Sequence, residues 1–178
     1  MATKVLPHDP AWAQAFGVEA NAVMAAVAPV EVTLHHIGST AVPGILAKPI
    51  IDILGEASCL RAIDRSTSRL EAIGYEAMGA YGIEGRRYFR KTAADGVRTH
   101  HLHVFEIGAA PIARHLAFRD YLRACPDRAM AYSDLKARIV AGLGSDGATY
   151  QEEKAAFVEA LNAEAEAWRR AGRQAVDR

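Results

Sequence analysis

The order of β-rich and helical segments is the feature that most constrains the fold of this chain. The β-rich segments lie between residues 30 and 106, with one helical segment among them, and helical patterns precede and follow them. Strands followed by a run of helices are typical of α+β proteins. We therefore predict an α+β fold in which helices cover a mixed or antiparallel sheet, with a helical C-terminal part.

Local signals place the individual elements. Asp9 and Pro10 favour a helix start, and Pro29 ends the apolar stripe that follows them. Ala94-Asp95-Gly96 is typical of a hairpin turn. The predicted strands cover residues 30–37, 50–54, 75–78, 86–92 and 97–106, and the later helices cover 60–73, 112–123, 129–139 and 150–168.

Length and charge limit the classes of function. The chain has 178 residues, which predicts a single domain over residues 1–178, with a sheet-containing core to about residue 110 and C-terminal helices over about 111–170. Its 21 basic and 21 acidic residues balance, which disfavours a nucleic-acid or membrane surface. Basic residues nevertheless concentrate in 86–98 and acidic ones in 152–166. This distribution leaves room for a small phosphate-bearing ligand in one pocket.

The sequence also predicts a cytoplasmic protein with no membrane partner. No apolar run approaches the length of a spanning helix, and the first residues lack the layout of a signal peptide. Cys59 and Cys125 show no close metal-ligand spacing, so we expect reduced, buried thiols. No apolar seam indicates an oligomeric state.

A small-residue turn is the first candidate site. Gly38, Ser39 and Thr40 follow a predicted strand, and Lys48 lies a few residues beyond them. Backbone N–H groups and hydroxyls at such a turn can hold a phosphate, because small residues let the backbone approach an anion. An ordinary strand-to-helix turn, with Ser39 or Thr40 as the cap, is the alternative.

An acid in an apolar strand is the second candidate. Asp52 interrupts the run Ile50-Ile51-Asp52-Ile53-Leu54. A buried carboxylate is costly unless it is paired, binds a metal or faces an open cleft. The pattern therefore indicates a cleft or metal site, and a salt bridge to an arginine is the structural alternative.

Two histidines and several arginines complete the candidates. His101 and His103 share one face of a predicted strand, where two imidazoles can ligate one metal or contact one phosphate. Partly exposed structural histidines are the alternative. His36 is placed to reach the same cleft. Arg87 suits bidentate phosphate contact, with a solvated strand face as its alternative, and Arg119 is adjacent to Asp120.

Longer motifs resemble the GrpB family, whose fold is similar to that of nucleotidyltransferases. The resemblance runs from Pro7 to about Phe157. It is carried by His36-Ile-Gly-Ser-Thr-Ala-Val-Pro-Gly, Ala47-Lys-Pro-Ile-Ile-Asp-Ile, Gly85-Arg-Arg-Tyr-Phe-Arg-Lys, Thr99-His-His-Leu-His-Val, Phe118-Arg-Asp-Tyr-Leu-Arg and the segment from Tyr150 to Lys154.

The resemblance implies an enzyme that uses a nucleoside triphosphate and Mg²⁺ to modify a small-molecule acceptor. Asp52 would bind Mg²⁺, and His101 or His103 would ligate the metal or act as a base. The substrate-binding residues would be His36, Gly38, Ser39, Thr40, Lys48, Arg87 and Arg119.

One position departs from the nucleotidyltransferase pattern. Leu54 stands where that pattern has a second acid, which leaves Glu56, Glu84 and Glu106 as other candidate carboxylates. A non-catalytic nucleotide- or phosphate-binding module is therefore the alternative function. In a third interpretation, the chain is an interaction protein whose motifs serve folding only.

Overall fold

The computed structural model describes residues 5–142 and 147–176, with side chains over 5–142 and 155–172. Over these residues a first helix precedes the strands and three helices follow them. The elements are α1 (Ala11–Val27), β1 (Val32–Ile37), β2 (Ile51–Ala57), α2 (Leu60–Arg65), α3 (Thr67–Ala72), β3 (Tyr75–Ala77), β4 (Arg87–Thr92), β5 (Arg98–Glu106), α4 (Ala110–Ala124), α5 (Pro126–Ala141) and α6 (Gly147–Val176).

The strands of the described chain form one mixed sheet in the order β1-β2-β5-β4-β3. β2 runs parallel to β5, and the other neighbouring pairs are antiparallel. The predicted α+β class with a mixed sheet and a helical C-terminal part is confirmed. The register places Asp52 directly opposite His101 on β5. The parallel pairing therefore joins the two candidate sites at the centre of the sheet.

The two faces of the sheet are covered by different helices. One face packs against α1, α2 and α3 through an apolar core that includes Val23, Ile53, Phe89 and Leu102. The other face packs against α4 through Ile37, Leu54, Phe105 and Ile112. Side chains alternate along a strand, so Asp52, His101 and His103 lie on the α4 side.

Sequence signals at the element ends are largely confirmed. The backbone N–H of Ala11 donates to Oδ1 of Asp9 at 2.9 Å, and α1 ends two residues before Pro29. The expected helix over 60–73 is instead two short helices that meet at Ser66. The Ser66 hydroxyl donates to the carbonyl of Ala62 at 3.0 Å, and such a side-chain bond competes with the helical backbone pattern.

The cysteines, the length of the apolar helices and the last motif of the resemblance can also be compared with what the sequence predicted. Cys59 and Cys125 are free thiols, and both are half-buried rather than fully buried. Over the part of the chain that the structure describes, no helix is long and apolar enough to span a membrane. The side chains from Tyr150 to Lys154, which carry the last motif of the resemblance, lie outside the described residues.

Candidate functional site

The turn after β1 packs directly against Asp52. Gly38 has φ 71° and ψ −171°, a backbone conformation that is essentially restricted to glycine, and a 3₁₀ turn over Ser39–Ala41 follows it. A Cβ atom at Gly38 would lie 2.2 Å from Oδ2 of Asp52. The absence of a side chain at Gly38 therefore allows the turn and the carboxylate to approach each other.

Asp52 and His101 form a hydrogen-bonded pair across β2 and β5. Nδ1 of His101 donates to Oδ1 of Asp52 at 2.9 Å, since a carboxylate can only accept. This bond leaves a lone pair on Nε2 of His101. That atom is buried and has no hydrogen-bond partner among the residues that the structure describes. The lone pair is therefore available to a ligand, a cation or a proton.

His103 lies two residues further along β5 on the same face. Its Nδ1 accepts a hydrogen bond from Nη1 of Arg86 at 3.4 Å, because a guanidinium can only donate. Burial lowers the pKa of His103 to about 4, so the ring is neutral at pH 7 with its proton on Nε2. Arg86 also donates to the carbonyls of Ala80 and Tyr81, which ties the loop before β4 to the site.

Asp52, His101 and His103 converge closely enough to hold one cation. Each offers one ligand atom, and these atoms lie within 4.8 Å of one another. All three side chains are half-buried. The structure thus brings together the three residues for which the sequence predicted catalytic and metal-binding roles.

A cavity of about 200 Å³ opens beside this cluster. Its polar lining includes five of the residues singled out in the sequence together with one further cation, Lys136 of α5. Lys136 is 8% exposed, and its Nζ donates to Oγ of Ser39 at 3.1 Å and to the carbonyl of Leu46. The charged and hydroxyl side chains of the lining are Ser39, Thr40, Lys48, Asp52 and Lys136, and His101 and Tyr132 also contribute.

Two basic side chains expected at this site lie elsewhere. Arg87 is on the α2 side of the sheet, where its Nε and Nη2 donate to the carboxylate of Asp64 at 2.5 and 2.8 Å. His36 also points to the opposite face, where it stacks on Phe16 with ring centroids 5.0 Å apart. Residues alternate along a strand, so neither side chain reaches the face that carries Asp52. The structure therefore does not bring Arg87 and His36, two of the expected substrate-binding residues, to the cluster at Asp52.

Arg119 contacts the backbone behind the turn instead of lining the cavity. Its Nη1 donates to the carbonyl of His36 at 3.2 Å, and its Nε donates to Asp120 at 2.7 Å. Arg123, one helical turn later, donates to the carbonyl of Ala41 at 2.8 Å. The two arginines of α4 thus fix the turn in position rather than contacting the space that a ligand would fill.

The alternative acids do not join the cluster. Leu54 is 0% exposed and packs in the apolar layer below α4, which explains why no carboxylate occupies that position. Glu56 lies within 2.7 Å of Nε2 of His35, and Glu84 and Glu106 are exposed. Asp52 is consequently the single carboxylate of the three-residue cluster.

Lys136 and Arg86 are side chains of the candidate site that the sequence did not identify. Lys136 is 97 residues away from Ser39 in the chain. In the sequence, Tyr132 and Lys136 are four residues apart, a spacing that by itself predicts only two side chains on one face of a helix. Arg86 was one of several basic residues on a strand, and only the loop that wraps around it shows its role. Neither contact has a local signal in the sequence.

The comparisons with known proteins identify the family. The family model described as GrpB protein matches residues 2–164 of this chain. The chain belongs to the GrpB family. The UPF0157 protein YqkA of Bacillus subtilis is 36% identical over 167 residues, which are 94% of this chain and 48% of YqkA. This chain therefore spans about half the length of that relative.

Solved structures agree with the family assignment. The crystal structure of the conserved protein GrpB from Enterococcus faecalis aligns with a TM-score of 0.83 and 37% identity, over 93% of this chain and 99% of that one. The Cid1 poly(U) polymerase is less similar in structure, with 12% identity and a TM-score of 0.48 over 76% of this chain and 42% of Cid1.

Proposed function

We propose that this GrpB protein is a nucleotidyltransferase-like enzyme that uses a nucleoside triphosphate and Mg²⁺ to modify a small-molecule acceptor. One observation carries the proposal. A carboxylate and two imidazoles converge within 4.8 Å at the wall of a cavity that a phosphate-type turn and two lysines also line. A metal-bound triphosphate needs this combination of cation ligands and positive charge.

The triphosphate would occupy the cavity beside the turn. Ser39 accepts a hydrogen bond from Lys136, so its own hydroxyl proton is free to contact a phosphate oxygen. Lys48 and Lys136 supply positive charge, and backbone N–H groups near Gly38 add further donors. Lys136 thus takes the charge-neutralising role that the sequence predicted for Arg87.

The donor set fits a divalent cation. Mg²⁺ is commonly held by one or two carboxylates together with phosphate oxygens, so Asp52 and the triphosphate would hold it. A metal that favours imidazole, such as Zn²⁺, would use Nε2 of His101 as a further ligand, and His103 would join it after giving up its hydrogen bond from Arg86. When bound, the cation neutralises phosphate charge and polarises the phosphorus that is attacked.

The histidines would manage the proton of the acceptor. An acceptor oxygen or nitrogen forms a bond to the α-phosphorus, and the bond from that phosphorus to the pyrophosphate oxygen breaks, so pyrophosphate leaves. Nε2 of His101 takes the proton that the acceptor loses, and Asp52 stabilises the resulting imidazolium through Nδ1. His103 donates from Nε2 to an oxygen of the substrate.

A non-catalytic binding module is the second candidate function. The observation in its favour is Leu54, which is fully buried where a second acid would be needed for two-metal chemistry. The same cavity would then bind a nucleotide without transferring it.

Calorimetry and pyrophosphate release separate these functions. We would titrate the full chain with ATP, with and without Mg²⁺, and measure pyrophosphate release in a mixture of small hydroxy, amino and carboxylic acids. Asp52→Asn is the test variant. Asp134→Asn is its control, because Asp134 is exposed on α5 and does not line the cavity.

We expect Mg²⁺-dependent ATP binding and pyrophosphate release that Asp52→Asn abolishes and Asp134→Asn retains. Binding without release for every acceptor would favour the binding module over the enzyme. No binding of ATP would contradict both functions.

A further inference from the structure

A second cavity meets the first one at Asp52 and Tyr132. It has a volume of about 420 Å³, which lies in the usual range for small-molecule sites. Asp52 and Tyr132 line both cavities, whereas Ser39, Lys48 and Lys136 line only the first. The carboxylate at the centre of the proposed chemistry is therefore accessible from two separate spaces.

Two polar side chains of the second cavity make no hydrogen bond with other residues that the structure describes. Arg114 of α4 and Asn162 of α6 make no hydrogen bond or ion pair with other residues that the structure describes. Arg114 is exposed and Asn162 is half-buried, so both side chains are available to a ligand.

The inner wall of the second cavity is made of imidazoles and an aromatic ring. His115 of α4 lies near two rings of β5, with its centroid 6.2 Å from that of His103 and 6.5 Å from that of Phe105. The imidazole of His115 can donate or accept a hydrogen bond. Phe118 adds an apolar surface.

We propose that this second cavity is the acceptor site, and that it selects a small molecule that carries an anionic oxygen group beside its reacting hydroxyl or amine. Arg114, His115 and Asn162 would bind the anionic group, a carboxylate or a phosphate, because a guanidinium, an imidazole and an amide together match its oxygens. The reacting end would then lie at Asp52, where the two cavities meet, so that it can reach Nε2 of His101 in the wall of the first cavity. The assignment of the molecule as an acceptor rests on the proposed function, whereas the anion site itself does not.

The separation of the two cavities supports this assignment. In phosphoryl transfer the attacking and leaving oxygens lie roughly in line on opposite sides of the phosphorus. A site that kept both substrates in one space of about 200 Å³ would have little room for an acceptor beside a triphosphate. Two cavities that share the Asp52 carboxylate let each substrate enter its own space.

Binding of simple probes tests the site without any nucleotide. We would follow the side-chain amide signals of Asn162 in a ¹H–¹⁵N NMR spectrum while adding glycerol 3-phosphate, glycerate or glycerol. The first two probes separate phosphate from carboxylate, and uncharged glycerol is the reference. The variants are Arg114→Met and Asn162→Leu, with exposed Arg138→Met and Asn21→Leu as matched controls.

We expect at least one anionic probe to shift the Asn162 signals in a saturable way, and glycerol to have no such effect. Arg114→Met should weaken this binding by about tenfold or more, as the loss of a charge-assisted bond predicts. Backbone signals near His115 would report the loss in Asn162→Leu, and Arg138→Met and Asn21→Leu should bind as the unchanged chain does.

The site and the proposed function can fail separately. If the anionic probes bind no better than glycerol, or if Arg114→Met binds them equally well, the acceptor site is wrong even when ATP binds. If ATP displaces the probes by competition, they occupy the triphosphate cavity and the second site is again wrong. If the probes bind but ATP does not, the anion site stands and the nucleotide function fails.

Discussion

At the scale of single residues, the conformation of the turn at Gly38 and the position of the Asp52 side chain depend on each other. The backbone of Gly38 lies so close to Oδ2 of Asp52 that no side chain fits between them, and its φ of 71° already favours glycine. The same carboxylate orients His101 through its other oxygen. A small displacement of Asp52 would therefore change both the turn and the orientation of the histidine ring.

Replacement of Gly38 by alanine tests this dependence. The strained backbone alone costs about 1–3 kcal/mol, and the added Cβ must also displace Asp52. Gly44→Ala is the matched control, because Gly44 has φ 80° but no atom within 4 Å of the added Cβ. We expect both variants to lower the free energy of unfolding in urea, Gly38→Ala by more. Only Gly38→Ala should weaken ATP binding, and equal effects of the two variants on binding would contradict the close contact.

Buried histidines give the protein a defined pH dependence. Burial is the main cause that lowers the pKa of His36 to about 4, and it also lowers the pKa values of His100, His103 and His115. Below about pH 6.5 the unfolded chain binds protons that these rings reject in the folded state. Stability therefore falls as the pH decreases from about 6.5 towards 4.

His36→Gln isolates one part of this effect. His36 lies on the opposite face from the proposed cation ligands, and its Nε2 donates to Oγ1 of Thr40 at 3.0 Å. A shift from 6.5 to about 4 corresponds to at most about 3 kcal/mol. We expect a shallower loss of unfolding free energy between pH 6.5 and 4 in the variant. The difference between the two proteins should be constant above pH 7, and parallel curves at low pH would contradict the assignment.

At the scale of secondary-structure elements, two adjacent arginines at the start of β4 make different contacts. Arg86, just before the strand, is 8% exposed and contacts His103 and two loop carbonyls on the α4 side. Arg87 points to the other face and pairs with Asp64 near the surface. Because alternate residues of a strand face opposite sides, adjacent side chains enter environments that differ in burial and in partners.

Methionine substitutions should separate the two arginines. Arg87→Met removes a partly exposed ion pair, which typically contributes about 0–1 kcal/mol. Arg86→Met leaves the carbonyls of Ala80 and Tyr81 without their charged donor, and each such bond typically contributes about 1.5–3 kcal/mol. We expect urea unfolding to show a clearly larger loss for Arg86→Met. Arg87→Met should bind ATP as the unchanged chain does, and impaired binding would restore the phosphate contact expected from the sequence.

Local pattern was sufficient to predict the elements but not their partners. The alternation in β5 correctly placed His101 and His103 on one face, and the apolar run around Asp52 indicated its strand. The sequence placed His36 and Arg87 at the cleft, whereas the structure places both side chains on the opposite face of the sheet. Predicting this would require knowing which face of each strand lines the cleft. That information comes from the parallel pairing of β2 with β5 and from α4, which are contacts between distant parts of the chain.

At the scale of the whole molecule, the C-terminal helices complete the phosphate cavity. Val42 and Ile45, which follow the turn, pack against Leu122, Ala129 and Leu161 in an apolar cluster. Beside this cluster, the Ser133 hydroxyl accepts a hydrogen bond from the backbone N–H of Leu46 at 2.9 Å. The segment that binds phosphate in the proposed function is therefore held between the sheet and α5, and Lys136 reaches the cavity from the helical side.

This arrangement predicts that a triphosphate stabilises the whole protein through Lys136. A ligand that binds only the folded state adds about 2.7 kcal/mol at a hundred times its dissociation constant, so ATP with Mg²⁺ should raise the melting temperature. Lys136→Met removes a buried cation beside Ser39, and we expect the affinity for ATP to fall by about tenfold or more. Arg138→Met is the control, because Arg138 is exposed on the same helix and does not line the cavity.

Differential scanning fluorimetry over a series of ATP concentrations measures the shift, and comparison with each variant's own melting temperature without ATP separates lost affinity from lost stability. An unchanged ATP-dependent shift in Lys136→Met would show that the triphosphate does not contact α5, because the basal stability of each variant is already subtracted.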